Sequence, residues 1–73
     1  MHSSPLTVIK LRREVAARYA RINRLWLTAR NAYRRLHEAP IHDFIALRDA
    51  ALRLDQLDRG RAALLRDLKA LAY

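Results

Sequence analysis

Cysteine is absent from the chain, which excludes disulfide staples, zinc-finger frameworks and thiol catalysis. Glycine occurs once, at Gly60, and proline twice, at Pro5 and Pro40, so a fold of many short elements has almost no punctuation to draw on. No apolar run approaches the roughly 20 residues that span a bilayer, and the N-terminus lacks a charged segment leading into an uninterrupted apolar one. A soluble, cytoplasmic chain without membrane attachment is therefore expected. Acidic residues are scarce: seven stand against fifteen Lys and Arg, for a formal net charge of +8. Because 52% of the 73 residues are apolar, the composition is that of one small foldable domain with a cationic surface, not of a disordered basic tail. A chain of this length buries little core, so its stability must come from efficient packing or from a partner.

The pattern that remains is helical. Ser4 followed by Pro5 suits a helix start, since the serine oxygen can cap free amides and proline at the first helical position gives up no hydrogen bond. Val8, Val15, Ile22, Ala29 and Leu36 then recur every seven residues, with Leu11, Leu25 and Ala32 three places after their partners. Pro40 cannot continue the ladder and disfavours the α conformation at Ala39, so the chain must turn at about 39–41. Beyond the turn, Leu47, Leu54 and Leu68 form one heptad row and Ala50, Leu57, Leu64 and Leu71 the other. Both rows keep phase across Gly60, which favours one helix there, weakened by about 1 kcal/mol relative to alanine. The alternative is a break at Gly60 that would give three helices.

The expected fold is thus all-α: an antiparallel hairpin with helix 1 over about 5–38 and helix 2 over about 42–72. A turn centred on 39 and 40 makes the numbers of facing residues sum to 79 or 80 and sets Gly60 opposite Tyr19, where a missing side chain leaves space for the ring. Arg18 and Arg61 fall in the seam at the same level. Charges there need partners, and Glu14 and Asp58 are spaced to supply them. Asp49 with Arg53 and Asp55 with Arg59 are i,i+4 pairs on helix 2.

Candidates for chemistry are few. His37-Glu38-Ala39-Pro40-Ile41-His42 approaches a zinc protease motif, but the second histidine comes one residue late and Pro40 interrupts the helix that would align the ligands. No nucleophile elbow or phosphate loop is present, so no catalytic residue, metal or cofactor is expected. Charge says more. Helix 1 carries nine Lys and Arg against Glu14 and Glu38, while helix 2 is nearly balanced at six against five. Tyr19, Trp26 and Tyr33, seven apart, form a stripe among these arginines, best placed at the edge of the core and also suited to anchoring a partner. Arg21, Arg24, Trp26, Arg30, Tyr33 and Arg34 are accordingly the candidate contact residues. Leu27, Ile45 and Leu52 should point away from the seam, which suits either a docking surface or a homodimer forming a four-helix bundle.

In size, in cysteine-free basic composition and in segments such as Arg21-Ile22-Asn23-Arg24-Leu25-Trp26 and Ala32-Tyr33-Arg34-Arg35-Leu36, the chain resembles small phage-encoded regulators that bind a host's RNA polymerase. The resemblance implies a protein that works in the host cytoplasm, contacts a polymerase subunit and blocks initiation or alters termination. It transfers no contact residue. Read from the residues alone, the alternative is a nucleic-acid-binding module that lays the basic helix along phosphates without reading bases.

Overall fold

Proline at position 5 opens the first helix, α1 (Pro5–Glu38), in a computed structural model that describes residues 5–71. Ser4, expected to cap it, lies outside the described residues. The helix stops at Glu38, directly before the Ala39-Pro40 pair that cannot extend it, and Arg35 and His37 place basic groups at its negative end. The turn runs over 39–43, two residues more than the sequence pattern suggests. Its last residue supplies the reason: Asp43 is the N-cap of α2 (Phe44–Ala70), with Oδ1 accepting a 3.0 Å hydrogen bond from the amide of Ala46. Replacing this side chain, Asp43→Ala, should lower stability by about 1 kcal/mol in urea denaturation. A loss within error would mean that the cap contributes nothing to the turn.

His42 reinforces the same turn. Its Nε2 donates a 2.9 Å hydrogen bond to the carbonyl of His37, one of the orphan acceptors at the end of α1. The rings of Tyr33, His37, His42 and Phe44 follow one another at centroid separations of 6.0, 5.8 and 6.1 Å, linking the last turn of α1 to the first of α2.

The two helices pack side by side as an antiparallel hairpin measuring 58 × 17 × 13 Å. Helix 2 is continuous through Gly60, so the three-helix alternative does not occur. The expected rows, Leu47, Leu54 and Leu68 with Ala50, Leu57, Leu64 and, just past the helix end, Leu71, are half-buried, as are Ala46, Gly60 and Ala63, and Arg61 completes the first row. Helix 1 differs. The row of Val8, Val15, Ile22, Ala29 and Leu36 is half-buried as expected, but its inner companion is the aromatic stripe Tyr19, Trp26 and Tyr33. Leu11 and Leu25 are 42% and 44% exposed, and Ala32 is also outward. Rows three and four places after the valines compete for one seam, and the larger apolar area of the rings takes the inner position.

Register is set by the longer turn. A Cβ on Gly60 would lie 2.6 Å from Cδ1 of Ile22, so Gly60 faces Ile22, and facing numbers sum to about 82. The Tyr19 pairing is corrected by this shift, although the reason for glycine, a large side chain across the seam, is unchanged. The expected ion pairs change too. Arg61 sits with its guanidinium 4.0 Å over the Trp26 ring instead of pairing with Asp58, while Arg18 is exposed and makes no ion pair with Glu14. Among the described residues the ion pairs are Arg59 with Asp55 at 3.1 Å, as expected, and Arg48 with Asp49 at 3.9 Å in place of Asp49 with Arg53. Both are exposed and contribute at most about 1 kcal/mol.

Candidate interaction surface

Packing one side of α1 against α2 leaves its other side to solvent, and most of the basic surplus lies there. Arg13, Arg24 and Arg35 are spaced by eleven residues, close to three full turns, so they align on one ridge over about 33 Å. Lys10 and Arg21, also eleven apart, run beside them, and all five are exposed. The Thr28 hydroxyl on this side donates 3.1 Å to the carbonyl of Arg24, within the helix.

The six candidate residues do not form a single face. Arg21 and Arg30 are nine residues apart, which is half a turn of rotation, so they stand on opposite flanks of α1. Arg21 and Arg24 belong with the outer ridge. Trp26 and Tyr33 are half-buried in the seam instead of standing free as anchors, and two guanidinium groups lie over the Trp26 ring, Arg61 at 4.0 Å and Arg30 at 5.5 Å. Arg30, Tyr33 and Arg34 do come together, lining a shallow open groove with His37, Glu38 and Leu54.

That groove continues along the hairpin. Tyr33 and Leu54 also border the adjoining depression, whose remaining lining is Trp26, Ala51, Asp55 and Asp58. Farther toward the open end, Ile9, Arg12, Arg13, Ala16 and Leu68 line another. On α1 the residues Ile9, Arg12, Ala16, Trp26, Arg30, Tyr33 and His37 fall on one track of three- and four-residue steps, which places the three depressions on the same flank. The floor is aromatic and aliphatic; the α1 wall is basic and the middle of the α2 wall is acidic.

No family model, curated protein or solved structure matches this chain. Among the described residues no helix is long and apolar enough to cross a membrane, and no group of three or more His, Cys, Asp or Glu is placed to hold a metal ion. Of the outward aliphatics, Ile45 and Leu52 are 70% and 56% exposed and Leu27 is exposed as expected. Three features of the surface escaped the sequence reading: the ridge through Arg13 and Arg35, the groove between unlike walls, and Arg61 as the partner of Trp26. An eleven-residue recurrence of arginine was the signal for the first. The other two depend on the register between helices, which no local spacing carries.

Proposed function

We propose that this protein is a non-enzymatic helical transcription regulator that binds RNA polymerase of its host through the basic outer ridge of α1 and so inhibits initiation or alters termination. The observation that carries the binding reading is the charge map: nine basic against two acidic residues on one helix, with Arg13, Arg24 and Arg35 aligned on its solvent side. Such a ridge attracts an acidic protein surface at long range and fixes orientation on contact. The resemblance to small phage-encoded polymerase-binding regulators supplies the partner's identity. Purified protein used as bait in a bacterial lysate at moderate salt should retain polymerase subunits, and Arg13→Glu/Arg24→Glu/Arg35→Glu should lose them while keeping its helical signal. Recovery of no polymerase subunit by the wild type would sink this reading.

The straight alignment of the ridge also favours a second reading, in which the same arginines follow phosphates. Three phosphate contacts give a slope of about −3 in log affinity against log salt for duplex DNA. Titrating a generic duplex at several salt concentrations measures that slope, and absence of a shift even at low salt removes the reading.

A further inference from the structure

The hairpin lacks a core of its own. No described residue is fully buried, and the chain exposes 6276 Å², whereas a compact protein of 8.5 kDa exposes about 4,700 Å². Its radius of gyration is 16.8 Å against the roughly 11 Å of a compact domain of this length. The surplus is about 1,600 Å² per chain, and covering it on two chains would bury about 3,200 Å² in total, inside the range of obligate homodimers. A two-stranded seam needs only two apolar rows per helix, whereas helices that meet two neighbours carry a third. Helix 2 has such a row on the groove side: Phe44, Ala51 and Leu65, broken by Asp58. The corresponding row on its opposite flank is Ala46, Arg53, Gly60 and Asp67, with no large apolar side chain. Phe44, apart from its edge contact with His42, is 76% exposed and Leu65 39%, so most of this third row is uncovered within the hairpin.

We propose that the groove over Trp26 and Tyr33 is the interface with a second copy of this chain, giving a four-helix bundle. The occupant follows from the walls. Arg30 and Arg34 stand on the α1 side of the floor, Asp55 and Asp58 on the α2 side. A two-fold rotation about the long axis of the hairpin lays each α1 over the α2 of the other copy, so basic wall meets acidic wall twice. With facing numbers summing to about 82, Arg30 and Asp55 differ in level by about one helical turn, a gap that an arginine side chain reaches across. Among the described residues Arg34 and Asp58 make no ion pair and Asp55 has only the exposed contact with Arg59, so these charges can pair between copies. A partner of uniform charge would be repelled by one wall. The rotation leaves the ridge of Arg13, Arg24 and Arg35 on the outside of the bundle, where it appears twice.

Sedimentation equilibrium of the full chain tests this without any other partner. The wild type should sediment at twice 8.5 kDa at micromolar concentrations. Arg30→Glu/Arg34→Glu makes both walls acidic and Asp55→Arg/Asp58→Arg makes both basic. Each variant alone should bind itself on the order of 100-fold more weakly, and an equimolar mixture should restore a dimer containing one chain of each. Should either variant lose its helix when alone, recovery of the helical circular dichroism signal on mixing gives the same answer. Leu52→Asp, on the outward face of α2 away from the seam, should leave the dimer intact. A wild type that stays monomeric, wall variants that still self-associate, a mixture that fails to pair, or a dimer broken by Leu52→Asp alone would each overturn the proposal.

Discussion

Trp26→Ala should lower the melting temperature by about 15 °C, the largest effect of any single truncation in the seam. A tryptophan presents 150–250 Å² to its surroundings, and half of that burial at about 25 cal/mol per Å² contributes roughly 2 to 3 kcal/mol. The guanidinium of Arg61 at 4.0 Å adds about 1 kcal/mol, and Arg30 at 5.5 Å less. Losing about 3 kcal/mol moves the midpoint by roughly 12 to 24 °C in a domain of this size. Few proteins of this length have stability to spare on that scale, and no described residue of this one is fully buried to compensate. A companion variant separates the ring from its cation. Arg61 occupies a seam position between Leu54 and Leu68, so Arg61→Leu trades the cation–π contact for apolar burial and should leave the midpoint within a few degrees. Thermal melts followed at the helical band decide both. A Trp26→Ala midpoint within 3 °C of wild type would mean that the ring does not hold the hairpin together.

The role of Trp26 also marks where the sequence could be read and where it could not. Helix positions followed from local signals: Pro5 to start, Ala39-Pro40 to stop, and leucine rows that keep phase across Gly60 and so require one continuous α2. Those signals act within a few residues of the structure they specify. The choice between Leu11 with Leu25 and Tyr19 with Trp26 as the inner row of α1 could not be made that way, because steps of three and of four from the same valines both lie near the seam. Packing against α2 resolves the choice, and the rings win on area. The register failed for a related reason. Asp43 caps α2 and lengthens the turn to residue 43, moving every facing pair by two or three in sum, so Ile22 and not Tyr19 meets Gly60. The basic character of α1 was legible from composition. Its division into an outer ridge and a groove wall was not visible until Arg21 and Arg30 were set half a turn apart.

Gly60→Leu should destabilise the hairpin by about 3 kcal/mol in urea denaturation, the upper end of what overpacking costs, because the Ile22 side chain already fills the space across the seam. Even a lone Cβ at this position lies 2.6 Å from Cδ1 of Ile22, so a branched side chain forces the helices apart where they approach closely. Gly60→Ala discriminates between the two reasons for a glycine here. Were Gly60 only a weak point in the helix, alanine would stabilise by about 1 kcal/mol whatever stands opposite. Close approach predicts otherwise: Ile22 must swing its terminal methyl aside, at about 0.5–1.5 kcal/mol, which cancels the gain. Ile22→Val removes that methyl, and in its background Gly60→Ala should recover the full stabilisation of about 1 kcal/mol. The double-mutant cycle should therefore show a coupling of about 1 kcal/mol between positions 22 and 60. Additivity within about 0.3 kcal/mol would show that the helices are not in contact there, and with it the register that places Arg30 near the level of Asp55 would fall.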